Sequence, residues 1–361
     1  MMADRPLNEK SVMEVLEGFQ DPETGRSITQ LQQVHDVKLD GDKLSLTLGM
    51  TTFSAPLWGE VQAELEQKLR DSLPGLAEVT IHMAVHERPP LPLGEIGLKA
   101  KSVIAIGSGK GGVGKSTIAA CLAYSLKNAG SSVGLMDADL YGPSIPHLLG
   151  VREKPVLIEK RFQPSKVDGL KVMSMGLLVP PNQAVVWRGP MLHSAITQFL
   201  RDTEWGELDY LIIDMPPGTG DVSLSLSQLL PLTGAVVVCT PQKVALLDAV
   251  KAISMFRQVK INVLGMIENM SSFHCPDCDK RYDIFGSGGA RKCAADLEIP
   301  FLGELPINIQ MRINGDRGQV KNSLEDEAVA PYLKKICLNL VRNLVQSIRK
   351  EPTLPTLSVV N

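Results

Sequence analysis

An open α/β fold, with a mostly parallel sheet covered by helices on both faces and a small α+β domain ahead of it, is predicted by three observations. Short apolar strands alternate with helical stretches from residue 101 onward. A glycine-rich loop joins the first of those strands to a helix. A Pro-rich segment then separates this region from an N-terminal module of different pattern. The module is residues 1–87: helical periodicity at 11–19, a hairpin of 34–39 and 43–48 around Asp40-Gly41-Asp42, a second helix at 57–73 and a closing strand at 77–85. Arg88-Pro89-Pro90-Leu91-Pro92-Leu93-Gly94 opens a stiff linker over 88–98. The main domain covers 99–350, with strands at 101–107, 132–136, 170–174, 210–214, 235–240 and 263–267, and a tail at 351–361 carries two prolines. Such alternation places ligands at the carboxyl ends of the strands.

The loop itself is Gly109-Lys110-Gly111-Gly112-Val113-Gly114-Lys115-Ser116-Thr117, which fits G-x-x-x-x-G-K-[ST] between a strand and a helix. Its glycines allow successive N–H groups to curl around phosphate oxygens at the positive end of the helix. This predicts a P-loop NTPase that binds ATP and Mg²⁺. Lys115 is expected to reach the β and γ phosphates, Ser116 to ligate Mg²⁺ and Thr117 to hold the α-phosphate side. Lys110 sits too early to duplicate Lys115; it is either a solvated loop lysine or a charge supplied across a dimer.

Acidic residues close two of the strands: Asp137 and Asp139 one, Asp214 the other. Beside a phosphate loop, Asp214 fits the residue that holds Mg²⁺ directly or through water. Asp139 fits one that positions the attacking water near the metal. Pro216-Pro217-Gly218-Thr219-Gly220-Asp221 follows at once and reads as a switch loop, with the Gly218 N–H free for the γ-phosphate.

With 361 residues, 44% hydrophobic content and a net charge of −3, the chain is an ordinary globular one, without the broadly basic balance of a nucleic-acid binder. Residues 1–10 are polar, and no stretch approaches the roughly 18 apolar residues of a membrane span. A cytoplasmic location without membrane or nucleic-acid partners is expected. Cys121, Cys239 and Cys337 fall on apolar elements and are expected in the core. Cys275-Pro276-Asp277-Cys278 lies in a polar stretch beyond the 263–267 strand. Two thiolates at this spacing hold a metal only in part, and only Cys293 is near in sequence, so two copies facing each other in a homodimer give the simplest closed site. The spacing leaves iron–sulfur, zinc and a redox dithiol open. His274 beside the pair reads as a bystander.

Residues 99–350 resemble the Mrp/ApbC family of iron–sulfur cluster carrier ATPases, within the group with a two-lysine phosphate loop. The likeness rests on the loop above, Asp137-Ala138-Asp139-Leu140-Tyr141-Gly142-Pro143-Ser144, Asp214 through Asp221, Glu268-Asn269-Met270-Ser271, and above all the cysteine pair followed by Ile284-Phe285-Gly286-Ser287-Gly288-Gly289. The resemblance implies a homodimer holding a [4Fe–4S] cluster through Cys275 and Cys278 of both subunits. It also implies transfer to apo iron–sulfur proteins, cluster donor scaffolds as partners, weak ATP hydrolysis, Lys110 acting across the dimer and Asn269 near the adenine. The N-terminal module is similar to a domain of iron–sulfur assembly factors through Asp21-Pro22-Glu23 and Thr51-Thr52-Phe53-Ser54-Ala55-Pro56-Leu57. Ala55 stands where such domains often have a cysteine, so docking or structure is the expected role.

Three rivals share parts of the pattern. A positioning ATPase of the ParA/MinD type would use the apolar stripe of residues 332–348 on a membrane surface, although such a stripe is the ordinary face of a terminal helix packed on a core. A reductase resembling the nitrogenase iron protein would carry widely separated single cysteines, which the C-x-x-C spacing disfavours. A zinc-bridged ATPase dimer would use the same thiolates.

Overall fold

The computed structural model describes residues 7–139, 142–178, 189–218, 220–229 and 231–350. The tail at 351–361, together with Leu140, Tyr141 and Thr219 of the quoted motifs, lies outside them. Two compact units divide the chain. One takes in the residues up to Arg88 together with the last helix from Val341, and the other is Pro89–Leu340.

In the first unit a three-stranded sheet runs in the order Val34–Asp40, Lys43–Met50, Glu78–Val85. The first pair is antiparallel, as the hairpin reading requires, and the second is parallel because a helix, Trp58–Ser72, carries the chain back across. Leu44, Leu46 and Leu48 alternate inward from the central strand and are buried with Leu65 and Leu69 of that helix. The helix expected over 57–73 spans Trp58–Ser72, and a 3-10 turn, Thr52–Leu57, leads into it with Pro56 inside and Ala55 buried. Helix Glu9–Glu17 begins at Asn8, whose Oδ1 accepts from the Ser11 N–H at 2.9 Å.

The second unit is built on a ten-stranded sheet among the described residues. Its parallel part runs Phe301–Ile307, Val263–His274, Gly234–Cys239, Leu98–Gly107, Leu208–Asp214, Val133–Asp137, Leu170–Ser174. Strands covered on both sides read as unbroken apolar runs, and Val103 to Ile106, Leu211 to Ile213 and Val236 to Val238 are all fully buried. Short antiparallel strands extend it at Pro92–Leu93, Ser165–Val167 and Arg281–Tyr282. The first of these lies within the Pro-rich segment, so part of that segment joins the sheet against Leu98 and Lys99.

One strand departs strongly from expectation. The run expected to stop at 267 continues to His274, because Glu268 and Asn269 interrupt the apolar pattern without interrupting the ladder, pairing with Glu304 and Leu305. The last helix, Ala330–Lys350, buries Leu333, Ile336, Cys337, Leu340, Val341, Leu344 and Val345. Its stripe therefore faces protein. Among the described residues no helix is long and apolar enough to cross a membrane.

Candidate nucleotide and cysteine site

Strand Leu98–Gly107 feeds the phosphate loop directly into helix Lys115–Asn128 at the centre of the sheet. Gly112 and Gly114 have φ of +80° and +81°, a conformation that L side chains rarely adopt. Gly114 is the helix N-cap and offers no side chain to its first N–H groups, which leaves that end suited to an anion. Gly109 sits so close to helix Lys243–Gln258 that a Cβ there would lie 2.1 Å from the Asp248 carbonyl. Inside the loop, Ser108 Oγ donates to the Lys110 carbonyl at 2.9 Å, and the Gly218 N–H donates to the Ser108 carbonyl at 3.2 Å. The segment after Asp214 is thereby tied to the loop. Lys110 is half-buried and forms no ion pair among the described residues.

The Lys115 ammonium is where the expected residues converge. Its Nζ donates to Asp214 Oδ1 at 2.6 Å and to Ser116 Oγ at 3.2 Å, and lies 4.0 Å from Asp139 Oδ2. Asp214 is fully buried, and burial holds its carboxyl above the ordinary range against the opposing pull of Lys115. Behind it stands Asp137, also fully buried. Its Oδ1 accepts from the Asp139 N–H at 3.1 Å, and its Oδ2 from the Ile145 N–H at 3.3 Å and Ser174 Oγ at 3.0 Å. Burial first, and the Asp214 charge second, push Asp137 up to about 8. Asp137 thus shapes the loop that presents Asp139, whose own Oδ1 accepts from the Gly142 N–H at 3.2 Å.

The extended strand Val263–His274 connects this centre to the cysteines. Asn269 Nδ2 donates to the Val113 carbonyl at 2.8 Å and lies where a Cβ on Gly114 would be, so the structure places Asn269 against the phosphate loop itself. Glu268 is buried and caps helix Gly289–Asp296, accepting from the Gly288 and Ala290 N–H groups at 2.9 and 2.6 Å. At the end of the strand, Cys275–Asp279 makes the turn of a hairpin: the Cys275 N–H donates to the Lys280 carbonyl at 3.1 Å and the Asp279 N–H to the Cys275 carbonyl at 2.8 Å. The Asp277 and Cys278 N–H groups and the Cys278 thiol stabilise the Cys275 thiolate and hold its pKa below the ordinary thiol value. Cys278 is exposed. The other thiols differ: burial pushes Cys121, Cys239 and Cys337 up to about 12, and Cys293 packs partly into the core. His274 Nδ1 stands 3.8 Å from Asp279 Oδ1. Among the described residues no group of three or more His, Cys, Asp or Glu is placed to hold a metal ion.

A family model described as NUBPL iron-transfer P-loop NTPase matches residues 99–341. The chain belongs to that family. A second model, described as iron–sulfur cluster assembly protein, matches residues 9–83. Among curated relatives of this NUBPL-family chain, an iron–sulfur cluster carrier protein of Deinococcus radiodurans is 42% identical over 96% of this chain and 97% of its own length. The mouse iron–sulfur cluster transfer protein NUBPL is 48% identical over 68% of this chain and 79% of its own. Among solved structures, a nucleotide-binding protein from Archaeoglobus fulgidus in complex with ADP is 42% identical with a TM-score of 0.55, covering 62% of this chain and 88% of that one. The cell division ATPase MinD of Pyrococcus furiosus, 22% identical with a TM-score of 0.50 over 66% and 98%, shares the fold.

For a NUBPL-family P-loop NTPase the oxygen set of Ser116, Asp139 and Asp214 is chemically suited to Mg²⁺, a hard cation that prefers such ligands. Asp214 Oδ2 is buried without a hydrogen-bond partner, which is an acceptor consistent with that use. Asp137 and Glu268 both stand in the motifs quoted above, but those motifs assign neither of them a structural role; each is a carboxylate at the end of, or within, a strand that is otherwise apolar.

Proposed function

We propose that the chain is an ATP-dependent iron–sulfur cluster carrier acting in the cytoplasm. A homodimer takes a [4Fe–4S] cluster from a donor scaffold, holds it through Cys275 and Cys278 of both copies, and passes it to apo-proteins with weak ATP hydrolysis. One observation carries this reading. The strand that braces the phosphate loop through Asn269 is the strand that ends in the cysteine turn. A change of nucleotide at the loop has a direct covalent path of six peptide bonds, from Asn269 to Cys275, by which to move the thiols.

A cluster of this type takes four cysteine ligands, and one copy supplies two at the turn, so a two-fold pairing completes the set. The exposed Cys278 and the lowered Cys275 suit a cargo that must be received and released rather than buried permanently. On the nucleotide side, Lys115 serves the β and γ phosphates, Thr117 the α-phosphate side and the loop N–H groups with Gly218 the phosphate oxygens. Lys110 adds charge from the partner copy. Mg²⁺, held by Ser116 and Asp214 with Asp139 nearby, would neutralise charge on the β and γ oxygens. Asp139 orients the attacking water, and Asp137 keeps the Asp139 loop in shape. The N-terminal unit, with Ala55 buried where thiol chemistry would need a cysteine, docks partners on this reading.

Transfer to an apo [4Fe–4S] enzyme, read as recovered acceptor activity, tests the division of labour. Lys115→Ala is expected to keep a reconstituted cluster and lose ATP hydrolysis, whereas Cys275→Ala keeps nucleotide binding and loses the cluster. Loss of the cluster in Lys115→Ala with an intact phosphate-independent fold would contradict the scheme.

A further inference from the structure

Beside the cysteine hairpin the second unit carries a cleft of about 250 Å³ that the nucleotide and cluster chemistry does not use. Its lining includes Arg291, Phe301, Glu304, Pro331, Tyr332 and Lys335. The floor is strand Phe301–Ile307, the outer strand of the parallel run, and Arg291 rises from the helix whose N-terminus Glu268 caps. Floor and wall are therefore both fixed to strand Val263–His274, the strand that ends at Cys275.

The charges of the cleft are unbalanced. Arg291 lies over the Phe301 ring, 4.4 Å from guanidinium carbon to centroid, a contact that uses none of its N–H donors on a carboxylate. Neither Arg291 nor Lys335 pairs with an acidic side chain among the described residues. Glu304 is the one carboxylate in the lining and forms no ion pair among the described residues, so two cations face one anion in the cleft. The volume falls below the roughly 300–1,000 Å³ of a pocket that encloses a whole small molecule. It suits one or two side chains of a longer chain that remains outside.

We propose that this cleft receives an acidic peptide segment of a partner protein, with a carboxylate on Arg291 and Lys335 and a neighbouring apolar side chain against Pro331 and Tyr332. The segment would then hold its protein next to the cysteine turn. That purpose rests on the carrier reading, but the binding itself does not.

Fluorescence anisotropy on the full chain purified without cluster provides the test, using a fluorescein-labelled Gly-Asp-Glu-Phe-Gly-Ser hexapeptide and its Asn-Gln counterpart. The acidic peptide is expected to bind in a salt-sensitive manner and the neutral one to fail. Arg291→Gln and Lys335→Gln should each weaken binding about three- to fivefold, the range of a partly exposed charge pair, while Lys335→Arg retains it. Unchanged melting and nucleotide binding in these variants would show that the loss is local. Cys278→Ala should bind the peptide as wild type does, which separates this inference from the cluster. Equal binding of the neutral peptide, full displacement by succinate at equal concentration, or wild-type affinity in both glutamine variants would overturn it.

Discussion

Removing the Asn269 side chain tests how the phosphate loop is braced. Asn269 Nδ2 donates to the Val113 carbonyl at 2.8 Å, and its Oδ1 accepts from the Met270 N–H at 3.0 Å, where Met270 holds a φ of +57°. Val113 is 2% exposed and Asn269 8% exposed. Asn269→Ala therefore leaves a buried carbonyl without its donor, a loss of about 1–3 kcal/mol. Because the contact lies on the loop and not in the central core, most of that cost falls on the conformation that binds phosphate. At about 1.4 kcal/mol per tenfold, nucleotide affinity is expected to drop about 5- to 150-fold. Titration with a fluorescent ATP analogue reads the affinity, and thermal melting separates a loosened loop from an unfolded domain. Wild-type affinity together with an unchanged melting temperature would refute the claim that this side chain braces the loop, and with it the route from nucleotide to cysteines.

Other consequences are more local. Gly109→Ala would set a Cβ 2.1 Å from main-chain atoms of Asp248 and 2.7 Å from the Ala249 nitrogen, neither of which can rotate away. Overpacking of this kind costs about 1–3 kcal/mol, so nucleotide binding by the same titration should fall about 5- to 150-fold; an unaffected variant would show that the loop does not need the helix behind it. In the first unit, burial is the main cause that raises the Glu23 carboxyl above its ordinary 4.5, although Thr51 Oγ1 donates to it and Arg88 pairs with it at 3.0 Å. The folded state then binds the Glu23 proton more tightly than the unfolded state does, so stability declines as pH rises from 4.5 through the raised folded value. Glu23→Gln should flatten that decline in urea unfolding followed across the same pH range. A steeper decline in the variant would reverse the assigned sign.

Much of this architecture is legible in the sequence because its physics is local. The phosphate loop needs glycine where φ is positive and a lysine at the helix start, and Gly112, Gly114 and Lys115 stand where that pattern puts them. Parallel strands need apolar residues on both faces, and Leu211-Ile212-Ile213 meets that need without a partner being known. The continuation of strand Val263–His274 is not legible in this way. Glu268 and Asn269 look like the end of a strand until the Gly288 and Ala290 N–H groups, some twenty residues on, and the Val113 carbonyl are brought against them. The role of Asp137 is hidden for a related reason: an aspartate after an apolar run is often a turn residue, and only the fold surrounds it with Ser174, Asp139 and Asp214. The cysteine spacing is visible at once, whereas the hydrogen bonds that lower Cys275 depend on the hairpin that forms between His274 and Arg281.

Anaerobic reconstitution of the purified chain with iron and sulfide, followed by counting both per chain alongside molecular mass, tests the carrier claim most directly. About four irons are expected for every two chains, with visible charge-transfer absorption and a dimer that are both lost in Cys278→Ala. Zinc in place of iron, or a cluster that forms as well in Cys278→Ala as in wild type, would contradict it.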